Sequence, residues 1–255
     1  VIEEIEHILF STERPVQERF FKGRGIDFRK RDIELWPTEA QVCGGHGMAG
    51  AVVNAKAETG VPGLYAAGDV ACVPKQHLTG AFVFGEVAAE GAVQFIAEQP
   101  SVTLDDGQVK RVERKRDRRF TKASREIEVQ ELEYKVRRLI GDYVLSPKNE
   151  YKLKNWLEWA KRFEAEIEDR VLVRNGHELA RLYEVENIAQ CATLSALASL
   201  DRKESRWGDA HRRVDYPKRD DQNFRCHIVI HKDSGGEIRL GTRPIAGLDG
   251  KEVAA

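Results

Sequence analysis

Residues 59–69 read Thr59-Gly60-Val61-Pro62-Gly63-Leu64-Tyr65-Ala66-Ala67-Gly68-Asp69, a short apolar run that closes on a Gly-Asp pair. Ligands of open α/β sheets sit beyond the carboxyl ends of the strands, where Asp69 would present an acceptor to a sugar or ribityl hydroxyl. Gly68 lets the backbone bend closely around a bound group. The arrangement suits FAD. The same residues also fit an ordinary buried strand that leaves through a Gly-Asp turn, and that alternative stays open at this point.

Positioning such a carboxylate requires a strand over Leu64–Ala67, apolar on both faces as in the interior of a sheet. A helix is expected after it, with Thr79 as its N-cap, running to about Ala97. Gly80, Ala81, Gly85, Ala88 and Ala89 allow that helix to lie tightly on a sheet or cofactor, with its positive dipole end toward whatever lies beyond Asp69. Upstream, the glycine-rich stretch Cys43-Gly44-Gly45-His46-Gly47-Met48-Ala49-Gly50 leads into an expected strand Ala51–Val53. So much glycine predicts close backbone approach.

The 255 residues carry 41 Lys+Arg against 42 Asp+Glu, so a net charge of -1 gives no global pull toward nucleic acid or a membrane surface. Cys43, Cys72, Cys191 and Cys226 are scattered with no CxxC pair and no metal-ligand spacing, which predicts free thiols in a reducing compartment. With no run of about 18 apolar residues and no signal-peptide pattern, the expectation is a cytoplasmic chain that does not itself span a membrane. The chain begins Val1-Ile2 and Met48 is its only methionine. No G-x-G-x-x-G follows a strand, so these residues are expected to be the later part of a longer flavoprotein.

The expected fold class is α/β, the C-terminal part of an FAD-binding Rossmann-like domain, followed by a three-helix bundle and a short β-hairpin tail. The divisions fall at 1–107 for the FAD-binding and capping region, 108–206 for the helical domain and 207–255 for a tail that packs back on the FAD domain. Phe20, Phe21 and Trp36 are expected to pack against something outside these residues. Lys110–Arg125 holds nine basic and two acidic residues and reads as a solvated connector, or else as a docking surface for an acidic electron-donating protein. Leu132, Val136, Leu139, Ile140 and Tyr143 recur at helical spacing, as do Leu153, Trp156, Leu157, Ala160, Phe163 and Ile167. A third helix from His177 to about Leu200 is apolar nearly all round in its second half. Cys226–Ile230 and Glu237–Leu240 predict a hairpin around Ser234-Gly235-Gly236.

Three segments carry a resemblance: Gly63–Asp69, Arg202-Lys203-Glu204-Ser205-Arg206, and Asp215-Tyr216-Pro217-Lys218-Arg219-Asp220-Asp221-Gln222-Asn223. With the helices between them, residues 34 to about 232 resemble the flavoprotein subunits of the succinate dehydrogenase and fumarate reductase family, most of all the adenylylsulfate reductase branch. The turn Gly44-Gly45-His46, Trp207 after Glu204-Ser205-Arg206, and Leu78–Phe82 carry the branch likeness. The resemblance implies an FAD-dependent oxidoreductase that exchanges electrons with an iron-sulfur subunit and acts on a small molecule. It implies flavin contacts from Gly68, Asp69, Thr79, Gly80, Ala81 and Phe82. It also implies a catalytic and substrate-binding role for His46, with turn packing against backbone as the bland alternative.

His77 stands where the succinate and fumarate enzymes carry a carboxylate-binding arginine, and an imidazole cannot replace a guanidinium fork. His77 is therefore a substrate-contact candidate, and dicarboxylate chemistry ranks second to reduction of adenylyl sulfate. A non-catalytic partner-docking fragment is a further alternative. Arg206, Arg219, Asp220 and Asp221 are expected to form a salt-bridged clamp that holds the tail on the FAD domain.

Overall fold

A computed structural model describes residues 2–7, 10, 15–27, 30, 49–73, 78–99, 104–120 and 126–245. The chain divides into two units, Val1–Glu39 and Ala40–Ala255. In the first, α1 spans Ile2–His7 and α2 spans Pro15–Gly23. Proline at the first position of α2 loses no helical hydrogen bond, and Glu18 pairs with Lys22 one turn on, at 2.7 Å. Phe20 and Phe21 meet edge to face at 5.6 Å, with Arg24 over the Phe20 ring. Trp36 lies outside the described residues.

In the second unit the mass of the core is a three-helix bundle: α5 (Val129–Tyr143), α6 (Glu150–Asp169) and α7 (Gly176–Asp201). Its helices start where side chains can satisfy the free amides of a first turn. Asn149 accepts from Lys152 N at 2.8 Å, and Asn175 accepts from Glu178 N at 2.9 Å. Leu132, Val136, Leu153, Trp156, Phe163, Ile167, Leu182, Val185, Ala192 and Ala196 are buried together, which removes one apolar stripe of each helix from water. The expected centre of the bundle is thus found, although Leu194 and Leu197 of α7 are only half-buried. Two-residue strands β1 (Ile127–Glu128) and β2 (Val171–Leu172) pair in parallel at the entrance of α5 and exit of α6.

Two expectations are corrected. Leu64–Ala67 is not an interior sheet strand: Leu64 is 54% exposed, and the segment makes a single bridge, from Tyr65 to Glu58. The cause is local. Pro62 and Gly63, the latter at φ +78, fold the chain back so that Thr59 N and Thr59 Oγ1 both donate to Leu64 O. Of the expected strand Ala51–Val53, only Ala51 makes a bridge. The α/β part is therefore seen as a helix-backed loop rather than a layered sheet among the described residues.

Second, Gly107, expected at a domain boundary, lies in the first turn of a helix that carries the first half of the basic stretch, whose side chains are solvated. Asp106–Arg118 form helix α4, capped by Asp105, which accepts from Gly107 N at 2.9 Å. Between these regions, α3 runs from Leu78 to Glu98. After α7 the chain makes a short helical turn at Gly208–Ala210, the four-residue α8 (Asp221–Phe224), and an antiparallel hairpin of β3 (Cys226–Lys232) and β4 (Ile238–Pro244).

Candidate functional site

The Gly-Asp pair sits where chain direction changes. Gly68 at φ +73 opens a one-turn 3-10 helix, Gly68–Val70, a conformation that side-chain-bearing residues rarely adopt. This turn packs against the start of α3, and a Cβ built on Gly68 would lie 4.0 Å from the Ala81 Cβ. Behind it, Ala51 N donates to Val70 O at 2.7 Å and Cys72 N to Ala51 O at 3.0 Å. Gly50 permits this, because a Cβ there would meet Val70 O at 2.6 Å. A second tie joins the loop to the helix: the Tyr65 hydroxyl donates to Gly91 O at 2.9 Å, over a helix surface that only glycine leaves open.

Gly68, Asp69, Thr79, Gly80, Ala81 and Phe82 thus come together at one end of α3. Thr79 is the second residue of the helix rather than its cap, since the helix begins at Leu78. Gly80 is buried, whereas Asp69 and Thr79 are exposed and Phe82 is 75% exposed. His46 and His77 lie outside the described residues. The arrangement offers an acceptor carboxylate, the amides of a helix's first turn and an exposed aromatic ring around one turn. These groups can hold the hydroxyls of a ligand, its negative edge and its flat face respectively.

This donor set fits FAD, because glycine at 68 keeps a Cβ out of the space between turn and helix. α3 is apolar and little buried, with Leu78, Phe82, Val83, Val93 and Ile96 each more than half exposed. By length and composition it is also the one helix among the described residues able to cross a membrane.

A second concentration of ionisable groups, largely unseen in the sequence, fastens the stretch after α7. Glu204 is fully buried and accepts from Arg202 Nη1 at 2.7 Å, Arg206 Nε at 2.7 Å, Arg206 Nη2 at 3.0 Å and Asp220 N at 2.8 Å. Burial pushes its carboxyl up, but Arg206, the Asp220 amide and Arg202 together outweigh that and hold it below the usual range. Arg202 also donates to Phe224 O and Cys226 O, which carries the clasp to the root of the hairpin. The expected clamp residues take part: Asp221 joins Arg206 and Arg219, each at 2.8 Å, and Asp220 caps α8 through Asn223 N.

Lys148, Arg213 and His211 complete this cluster. The backbone of Lys148 makes a single bridge to Arg213, and its Nζ donates to Ser199 Oγ at 3.0 Å. Arg213 forks onto Asp215 at 2.8 and 2.7 Å and donates to Ser199 O, while Asp215 accepts from Glu150 N at the start of α6. Burial first, then the charge of Arg213, brings the Lys148 pKa down to about 8. Burial and neighbouring Lys148 bring His211 down to about 4. These contacts run from the tail to α6 and α7. At the far end of β4, Arg243 lies close enough to Cys72 to offset part of the burial that raises its thiol.

Among the described residues, Cys72, Cys191 and Cys226 form no disulfide, and no three His, Cys, Asp or Glu side chains gather as a metal site. A cavity of about 600 Å³ lies elsewhere, between α6 and α7, lined by Leu157, Ala160, Thr193 and Leu197. Its rim lysines, Lys154 and Lys161, are paired within their own helix to Glu150 and Glu158.

Residues 134–248 match the family described as fumarate reductase flavoprotein C-term. The fumarate reductase flavoprotein subunit of Mycobacterium tuberculosis is 30% identical over 233 residues, which cover 84% of this chain and 39% of that protein. An uncharacterized FAD-dependent oxidoreductase of Methanocaldococcus jannaschii is 29% identical, over 81% of this chain and 37% of its own length. The structure of adenosine-5-phosphosulfate reductase in complex with sulfite superposes with a TM-score of 0.67 at 26% identity, covering 74% of this chain and 33% of that one. The chain spans about two fifths of the length of the curated relatives it matches.

Proposed function

We propose that the chain belongs to the succinate dehydrogenase and fumarate reductase flavoprotein family and is the C-terminal portion of an FAD-dependent oxidoreductase subunit that exchanges electrons with an iron-sulfur partner. The observation that supports this reading is the packing of the Gly68–Val70 turn onto α3, which brings six candidate contact residues to one end of that helix. FAD, when bound, supplies the electron transfer. Asp69 would accept a hydrogen bond from a ribityl hydroxyl, and the first amides of α3 would donate to the pyrimidine edge of the isoalloxazine. Positive charge at that helix end favours added electron density there. Phe82 would cover apolar surface.

On this reading residues 1–107 contribute to the FAD-binding and capping region, 108–206 form the helical domain and 207–255 the tail. α3 is the flavin-side helix rather than a membrane span, since Glu86 and Glu90 stand in its middle. A cytoplasmic location goes with that choice.

Adenylyl sulfate, reduced to sulfite and AMP, is the proposed substrate, with His46 as proton donor and oxyanion contact and His77 as a second contact. Support comes from the adenosine-5-phosphosulfate reductase likeness and from His77 in place of a carboxylate-binding arginine. The likeness to the mycobacterial fumarate reductase subunit favours a second reading, dicarboxylate reduction. Purified full-length subunit with a reduced viologen dye separates the two: oxidation of the dye on adding adenylyl sulfate supports the first, and on adding fumarate the second. A colourless subunit that does not take up FAD overturns both.

A further inference from the structure

The charges of α4 are sorted by face. Lys110, Arg111, Arg114, Lys115 and Arg118 fall at i, i+1, i+4, i+5 and i+8, one contiguous strip along the helix, whereas Asp106, Glu113 and Asp117 gather along one flank of it, beside Lys110. Every side chain from Gln108 to Arg118 is exposed. Elsewhere in the chain, exposed helices place opposite charges one turn apart: Glu18 with Lys22, Glu133 with Arg137, and Glu150 with Lys154. On the α4 strip the neighbours one turn apart are Lys110–Arg114, Arg111–Lys115 and Arg114–Arg118, all of like sign, a spacing that weakens a helix. Arg111 reaches the N-cap carboxylate of Asp105 at 3.7 Å and Asp106 stands one turn before Lys110, but the pairs along the strip itself do not support the helix.

The helix is nevertheless held firmly at its end. Arg119, 3% exposed, donates to Ile167 O and pairs with Glu186 at 2.6 Å and Glu168 at 3.1 Å, which fixes the exit of α4 on α6 and α7. A rigid basic strip carried on a buried anchor presents its charges in a set geometry, and that favours a partner whose own charges are equally ordered.

We propose that the Lys110–Arg118 face of α4 is a docking strip for the acidic face of a partner protein. A folded protein fits better than the other polyanions. The strip has no aromatic side chain on which a base could stack, and the helix offers only Val109 and Val112 as apolar residues, too little to enter a lipid surface. The inference does not depend on flavin binding.

The probe is a fluorescein-labelled helical peptide with Glu at i, i+1, i+4, i+5 and i+8, titrated with the purified chain by anisotropy at low salt. Arg114→Glu lies within the strip, and Arg116→Glu makes the same charge change on the opposite side of the same helix. The expected result is binding that weakens about tenfold in R114E, changes by less than about twofold in R116E, and fades as salt rises. Equal losses in the two variants would reduce the effect to net charge and overturn the strip. Strip-dependent binding of phosphatidylglycerol vesicles or of single-stranded RNA, with none of the peptide, would overturn the choice of a protein partner. Thermal unfolding of both variants, expected to match the parent chain, guards against a folding artefact.

Discussion

Glu204 and Arg206 are joined through both carboxylate oxygens, Nε to Oε1 at 2.7 Å and Nη2 to Oε2 at 3.0 Å, with the carboxylate fully removed from solvent. A buried carboxylate survives only when its acceptor sites are filled, and here Arg202 and the Asp220 amide fill the rest. Because Arg202 also holds Phe224 O and Cys226 O, one carboxylate organises the whole passage from α7 to the hairpin.

Glu204→Gln takes from the buried Arg202 its carboxylate partner and leaves Arg206 with Asp221 alone. Breaking such a pair costs about 3 kcal/mol, and urea unfolding should read that loss at pH 7. The carboxyl is held below its ordinary value, so its contribution is present above about pH 4.5 and is lost as pH falls below that. The gap between parent chain and E204Q should therefore narrow in acid. A variant as stable as the parent at pH 7 would mean that the clasp holds nothing.

Lys148 makes the opposite prediction in alkali. Its pKa falls from 10.5 to about 8 because burial and Arg213 disfavour the charged form. Between those values the unfolded chain carries the extra proton, so stability should rise with pH from 8 to 10.5, by at most about 1.4 kcal/mol per unit. Lys148→Met removes this penalty along with the bond to Ser199 Oγ. It should exceed the parent in stability at pH 7, and that advantage should shrink by pH 10. Parallel pH profiles for the two chains would sink the idea.

How legible these features are in the sequence depends on which force builds them. The bundle is written in apolar spacing, and Leu153, Trp156, Phe163 and Ile167 are buried as their period demands. The Leu64–Ala67 run was misleading because apolar runs say nothing of a chain reversal, and here Pro62 and Gly63 decide. Lys148, Arg213 and Arg119 had no signal in hydropathy, since a buried cation looks like a surface one until its partners are placed. Only the density of opposite charges from Arg202 to Asp221 hinted at a clasp, and it revealed Arg206 and Asp221 but not Glu204 at the centre.

His211 contributes to the acid side. Burial and Lys148 bring its pKa from 6.5 to about 4, so the folded chain keeps the ring neutral while the unfolded chain takes up a proton. Stability should fall as pH drops from 6.5 toward 4, before Glu204 begins to titrate in earnest. His211→Gln cannot protonate and can still donate toward Arg202 O, which His211 Nε2 approaches at 3.3 Å. Thermal melts of H211Q should therefore lose less between pH 6.5 and 4.5 than those of the parent. An equal loss would assign the acid limb to other groups.

Gly63 and Gly68 share a left-handed backbone, φ +78 and +73, but face different surroundings. A Cβ on Gly63 would meet the Phe95 ring at 2.9 Å, whereas one on Gly68 would meet only the Ala81 Cβ at 4.0 Å. Both alanine variants carry about 1 kcal/mol of backbone strain, and Gly63→Ala adds a clash inside the fold. If FAD occupies the space beside Gly68, the order reverses for cofactor binding, since the new methyl group of Gly68→Ala intrudes on the ligand. In the full-length subunit, G63A should lose more melting temperature and G68A more FAD affinity, measured by flavin fluorescence. Losses of affinity that merely follow the losses of stability would remove Gly68 from the flavin site.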